Sequence, residues 1–222
     1  MFVWACSKYT KVPEDTARDR LWRMNSASGN LISIPAGEEK ITFQGKMIEV
    51  VSQVMRIGTK EVVFEKARRS PGVRLLIQSA SGKILLTKEY RNEVSGWDYR
   101  FPGGKVYDSL PEYNHAVTEK KDLQMEAQKA AIKEAGEEVG IEVTDIAHFY
   151  TSKCGATVEW DLYYFVVEVP NEITGKQKLE SGENIEIAWL SHQEAMNIAL
   201  SGEMSEDRSV AVLMLFISLT HK

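Results

Sequence analysis

The sequence predicts an α+β fold, and three features carry that expectation. Four segments between residues 47 and 90 are rich in Val, Ile, Leu and Phe and are separated by short polar turns, the pattern of successive hairpins. Residues 130–141 follow helical spacing and end on Gly140, as a helix stopped by a C′ glycine would. A Ser-x-x-Glu box from Ser191 to Glu194 opens a further helix ahead of a largely apolar last one. Strands, helix, strands, helix, helix is the order of an α+β or mixed α/β/α layered chain.

Taken in order, residues 1–45 carry the weakest pattern, with Pro13-Glu14-Asp15 opening a short helix that 25–29 would end. Strands are expected at 47–57 and 61–67 around the turn Gly58-Thr59-Lys60, and at 73–78 and 83–90 around Ser79-Ala80-Ser81-Gly82. The run Arg100-Phe101-Pro102-Gly103-Gly104-Lys105 forms a glycine turn. Residues 107–121 are polar and without period, a long loop of the kind that serves as a lid or stays irregular. After the 130–141 helix come strands at 142–150, 159–169 and 185–190, then helices from Ser191 to about 200 and from about 206 to 219.

The totals bound the function. With 222 residues, 43% of them hydrophobic, the chain can bury a core as one large domain or a domain with an extension. A net charge of −5 argues against a nucleic-acid backbone as the main partner. Two cysteines fit a reducing compartment, the first residues lack the basic start of a signal peptide, and the longest apolar run, 210–219, is about half a membrane span. A cytoplasmic protein with no membrane partner is expected.

The chemistry concentrates in the helix at 130–141. About 3.6 residues per turn puts Glu134, Glu137 and Glu138 on one face. Like charges so placed repel each other, and a hard divalent cation such as Mg²⁺ or Mn²⁺ turns that repulsion into binding. The alternative reading is a solvated acidic face at an ordinary helix end.

Lys133 to Ile141 resembles the ending R-E-U-x-E-E-x-G-U of the Nudix hydrolase motif, G-x5-E-x7-R-E-U-x-E-E-x-G-U, where U is a bulky aliphatic residue. Lys133 replaces the Arg and Ala135 the first U. From Gly104 to Lys133 there are 29 positions against 14 in the motif, so 15 residues look inserted and the first motif Glu is missing or displaced. Glu126 is the best substitute, Asp108 or Glu112 weaker ones. Other segments resemble the ADP-ribose and nucleoside-diphosphate-sugar pyrophosphatase branch: Leu85 to Arg91 is similar to its strand ending in Gln-Tyr-Arg, with Glu89 for the Gln. Gly182 to Ser191 is similar to its Glu-containing loop, strand and capped helix, while Arg100 stands where the branch often has a glutamate.

The resemblance implies an α/β/α sandwich around a mixed sheet over residues 71–222, with 1–70 a β-rich extension that exchanges between subunits of a homodimer. It implies metal-dependent hydrolysis of a nucleoside diphosphate joined to a second group, of the ADP-ribose or nucleotide-sugar kind, giving two monophosphates. Glu134, Glu137, Glu138 and the Gly103 carbonyl would hold Mg²⁺ or Mn²⁺. Glu183, or failing it Glu180, would act as base, with Glu137 also near the chemistry, and Arg91, Arg100 and Lys133 would meet substrate. Glu183 and Glu180 are otherwise solvated loop charges, and Arg91 a surface ion pair. Because the front of the motif is altered, a Nudix-fold nucleotide-binding module with impaired catalysis stays open beside the enzyme.

Overall fold

The computed structural model describes residues 33–179 and 182–220. The helix expected after Pro13 lies outside the described residues, as does Glu180. A first sheet is built on the long strand β3 (Glu49–Ile57), which pairs antiparallel with β1 (Ser33–Pro35), β2 (Lys40–Gln44) and β4 (Lys60–Arg68). The β3–β4 hairpin turns at Gly58, whose φ of 62° is the left-handed region that glycine adopts without strain. A short later strand, β9 (Val158–Glu159), adds in parallel to β4 through Ala67 and Arg68.

A second sheet has the order β11-β6-β5-β10-β8, with β7 (Gly96–Arg100) on the free part of β6. Its centre is the parallel pair β5 (Gly72–Ser79) and β10 (Leu162–Val169), in register from Gly72 opposite Leu162 to Ser79 opposite Val169. Both strands are buried at nearly every position, as strands covered on both faces are. The antiparallel neighbours are β6 (Ile84–Arg91), β8 (Ala147–Ser152) and, on β6, β11 (Ile185–Leu190).

Strand alternation divides the core in two. Val73, Leu75, Ile77, Tyr163, Phe165 and Val167 face the helix α2 (Leu123–Glu138), which buries Ala127, Ala131 and Ala135, small residues four apart that let it lie close to the sheet. Leu76, Ile84, Leu86, Leu162, Tyr164 and Val166 face α3 (His192–Ser201) and α4 (Asp207–Thr220). The result is the expected α/β/α layering. Ser191 forms the expected capping box with Glu194, and Gly202 ends α3 at φ 82°.

Four expectations are corrected. Residues 107–121 are not an irregular lid: α1 (Leu110–Thr118) folds there and buries Leu110, Tyr113 and Ala116. The reason is legible in Ser109-Leu110-Pro111-Glu112, since Ser109 accepts from the Glu112 amide and proline suits a first helical turn. The acidic helix starts earlier than expected, at Leu123, where Asp122 accepts from the amides of Gln124 and Met125. The strand read at 159–169 is broken at Trp160 and Asp161, and that at 142–150 begins only at Ala147.

Charged residues tie the first sheet to α1 and β9. Buried Glu49 accepts from Arg68 at 3.3 Å and from Asn114 of α1 at 3.1 Å, and Arg68 also reaches Glu159 of β9 at 3.0 Å and Glu39. A cleft of about 430 Å³ opens between this sheet and α1, with Tyr113, Tyr163, Lys66 and Asp161 among its walls. It reaches Leu123, the end of α2 opposite the motif glutamates.

Candidate active site

The turn at Pro102 to Lys105 lies along the start of β5: Leu75 donates to the Pro102 carbonyl at 2.9 Å and Val73 to the Gly104 carbonyl at 3.0 Å. This strand-like contact leaves no room for side chains on either glycine. A Cβ at Gly103, whose φ is 152°, would stand 2.9 Å from the Val73 carbonyl carbon and 3.0 Å from the Arg74 Cα. At Gly104 it would stand 2.5 Å from the Glu134 carboxyl carbon. The glycines therefore bring backbone up against the acidic side of α2. From that side the Glu138 carboxylate accepts the Gly103 N–H at 2.7 Å.

Glu138 is mostly buried, and burial pushes its carboxyl up to about 8; Glu134 and Glu183 push the same way, while the Gly103 N–H and Arg74 pull against them. Glu183 also acts on Glu89 of β6, which burial raises and Arg91 and Arg100 lower. Glu89 lies opposite Ile185 in the β6–β11 register, two residues after Glu183. Glu134, Glu138, Glu183 and Glu89 thus share one field, at the edge where the glycine turn, α2 and the loop before β11 meet.

The loop that carries Glu183 is fastened to the end of α2. Gly175 donates to the Gly140 carbonyl at 3.1 Å and Lys178 to the Glu137 carbonyl at 2.8 Å. The Gln177 amide donates to the carbonyls of both Glu138, at 2.7 Å, and Ile185, at 3.0 Å. Gly140 and Gly175 approach so closely that a Cβ on either would meet the other's backbone at 2.5 Å and 2.6 Å.

The remaining candidates face elsewhere or are engaged. Glu137 pairs with Lys133 at 3.3 Å, toward solvent. Arg91 pairs with Glu89 at 2.6 Å, and Arg100 with Asp98 at 2.5 Å and Glu93 at 3.2 Å. Glu126 pairs with Lys129 at 2.7 Å and stands eight residues, about 12 Å along the helix, before Glu134. It therefore does not join the cluster, whereas Asp108, just before α1, lies close enough to act on Lys133 beside Glu134.

Two contributors were not singled out from the sequence. Glu89 appeared only as a departure from Gln, and Arg74 not at all. Arg74 is buried, grips Glu206 with two hydrogen bonds of 2.8 Å, and donates to the Val73 carbonyl behind Gly103 at 2.8 Å. An arginine inside the otherwise apolar run of β5 was the available signal.

The donors suit a hard divalent cation in kind: carboxylate oxygens on Glu134 and Glu138, crowded so that each charge disfavours the other. Among the described residues, no three acidic, histidine or cysteine side chains already enclose a site for one.

A solved structure described as the crystal structure of an ADP compounds hydrolase is similar in fold, with a TM-score of 0.60 at 15% identity, over 85% of this chain and 93% of that one. No curated protein matches the sequence. The family model for the NUDIX domain matches residues 68–211, from the last residue of β4 into α4 and across the whole glycine turn and acidic helix, so the chain belongs to the Nudix family.

Proposed function

We propose that this Nudix hydrolase cleaves the diphosphate of a nucleoside diphosphate joined to a second group, of the ADP-ribose or nucleotide-sugar kind, releasing two monophosphates. The observation that carries the reading is Glu138: a carboxylate largely withdrawn from water, held by the Gly103 N–H and crowded by Glu134 and Glu183. Such an arrangement stores unfavourable charge that a bound cation would relieve, and that cation would in turn attract a diphosphate.

Glu134, Glu138 and the Gly103 carbonyl would hold Mg²⁺ or Mn²⁺. When bound, the ion supplies positive charge for the leaving phosphate and acidifies water. Glu183, on the loop fastened to α2, takes the proton from the attacking water. Arg91 and Arg100, on the same side of β6 and β7, orient the negatively charged substrate, and each must share its guanidinium with the carboxylate it now holds. Lys133 and Glu137 neutralise each other on the outer side of α2 and tune the helix's charge.

Apolar side chains on the first sheet, Ile41, Phe43 and Val63, are more than half exposed, which supports an extension that packs on a second copy in a homodimer. One observation favours a second reading, a binding module with little turnover: Glu126 does not replace the missing motif glutamate.

The test is a panel of ADP-ribose and nucleotide-sugar substrates with Mg²⁺ or Mn²⁺. Turnover that Glu138→Gln abolishes is expected. If no substrate is turned over but one raises the melting temperature, the binding module stands instead; turnover that Glu138→Gln keeps in full sinks the assignment of the site.

A further inference from the structure

Seven arginines lie among the described residues. Five of them, Arg56, Arg68, Arg74, Arg91 and Arg100, each meet a carboxylate within 3.3 Å. Arg69 and Arg208 meet none among the described residues, in a protein whose net charge is −5. Both instead stand over one indole: each guanidinium carbon lies 4.3 Å from the ring centroid of Trp160. The two cations are therefore no more than twice 4.3 Å, or 8.6 Å, apart.

This pairing is unfavourable as it stands. Burial lowers the Arg69 guanidinium, and Arg74 and Arg208 add repulsion. Three donors of the cluster, Arg69 Nε, Arg208 Nη2 and Trp160 Nε1, are buried without an acceptor among the described residues. Among those residues, the only side-chain hydrogen bond from either arginine runs from Arg208 Nη1 to the Trp160 carbonyl, at 2.8 Å.

Nearby carboxylates do not supply the missing charge. Glu206 is taken by Arg74, and Glu159 by Lys66 and Arg68. Asp161 feels Arg208 and Lys153 but forms no ion pair with either, and burial pushes it up.

We propose that Arg69, Arg208 and Trp160 form a binding site for a phosphate-type oxyanion. Two planar guanidinium groups held by one aromatic platform present the forked donors that recognise tetrahedral oxyanions, and stacking has already fixed their orientation. All three residues are partly exposed, so the cluster opens to the surface beside its buried donors. It is distinct from the acidic site. Trp160 packs against the cluster that contains Leu162, Tyr164 and Phe216, on the α4 side of the second sheet, whereas Glu134 and Glu138 belong to α2 on the other side.

The oxyanion has two possible carriers: a free phosphate-type ligand, or a further phosphate on a nucleotide substrate that reaches round the sheet edge at Gly72. The backbone is thin at that edge, since a Cβ on Gly72 would stand 3.1 Å from the Gly104 carbonyl oxygen and 3.7 Å from Trp160 Nε1.

Inorganic phosphate is the first probe, titrated in the presence of a chelator and at ionic strength held constant with sodium chloride. A saturable rise in melting temperature is expected from the wild type. Arg69→Gln and Arg208→Gln should each weaken it about tenfold or more, as loss of a charge-assisted hydrogen bond does. The double variant should lose it, and Arg208→Lys should keep part of it, which separates loss of charge from loss of fold. A Glu138→Gln variant should respond as the wild type does. No saturable response, or an unchanged response in the double variant, overturns the site.

The carrier is read from a pair of substrates, ADP-ribose with and without a phosphate on a ribose. A preference for the phosphorylated form that Arg208→Gln erases points to the substrate. Stimulation or inhibition of turnover by inorganic phosphate, erased by the same change, points to a free ligand. The phosphate titration needs no turnover, so it stays informative even if the proposed reaction is wrong.

Discussion

Replacing Gly104 by alanine probes the junction between the glycine turn and α2 without straining the backbone, because Gly104 is not among the positive-φ residues. The added methyl group would stand 2.5 Å from the Glu134 carboxyl carbon, where ordinary contact begins at 3.4 Å. The carboxylate must therefore withdraw by at least the difference, 3.4 − 2.5 = 0.9 Å. A displacement near 1 Å in a reacting centre costs about a hundredfold in rate. Glu134 sits on a helix surface and can rotate away, so the melting temperature should change little. Initial rates against the best substrate of the panel, with a melting curve beside them, decide the matter. A variant that keeps wild-type kcat/KM would show that Glu134 is not part of the chemistry, and one that simply unfolds would show that the turn and helix are locked by more than this contact.

Gly103→Ala should behave differently, because its methyl group meets backbone rather than a movable carboxylate and its φ disfavours any Cβ; unfolding at a lower temperature, measured by calorimetry, is expected alongside lost activity. Glu183→Gln should lower kcat by about a hundredfold to ten-thousandfold with little change in KM, the range for loss of a general base; unchanged kcat would move the base elsewhere. Arg74→Leu leaves the Glu206 carboxylate buried and unpaired and should cost about 3–5 kcal/mol in denaturant unfolding, much of it recovered by the double change with Glu206→Gln. The pair also sets an acid limit. Although burial opposes it, pairing with Arg74 holds Glu206 down to about 2 from an ordinary 4.5, so its contribution is complete above about 4.5 and is lost as pH falls toward about 2. Glu138 has the opposite sign: with its carboxyl at about 8 in the folded protein against 4.5 unfolded, the metal-free protein should lose stability as pH rises between those values, and Glu138→Gln should flatten that slope.

Much of the layering was legible because its signals are local. The Ser191 box, Gly202, the β3–β4 turn at Gly58 and the apolar runs of β5 and β6 each depend on a few neighbouring residues. α1 was legible too, through Ser109 and Glu112, but polar composition hid a helix that buries only Leu110, Tyr113 and Ala116. The break at Trp160 and Asp161 was not, because it arises where β9 leaves to join a different sheet while Gly72 donates to the Asp161 carbonyl. At the site, helical periodicity brought Glu134 and Glu138 together, while Glu137 pairs with Lys133 one turn back, a contact the motif pattern does not show. Arg74 and Glu89 act across the fold, on partners 132 residues away in Glu206 and on the far side of the β6–β11 pairing, and no sequence window contains both ends of such contacts.

The way the Glu183 loop is fastened suggests how the site stays assembled despite its own repulsion. Glu138 and Glu183 repel each other, so a loop free to move would carry Glu183 out toward water. Against this, Gln177 joins the last turn of α2 to the first residue of β11 with a single side-chain amide, and the backbone amides of Lys178 and Gly175 add hydrogen bonds to Glu137 in that turn and to Gly140 just past it. These bonds satisfy carbonyls that a helix C-terminus otherwise leaves to solvent, so the loop gains from staying where the charges disfavour it. Gln177→Leu removes both side-chain bonds while keeping the backbone pair. If that clamp holds the base in place, kcat should fall while KM stays near its wild-type value, and the change should add nothing to a Glu183→Gln background. Equal losses in both backgrounds would mean that Gln177 serves only the stability of the helix end and that Glu183 finds its position by other means.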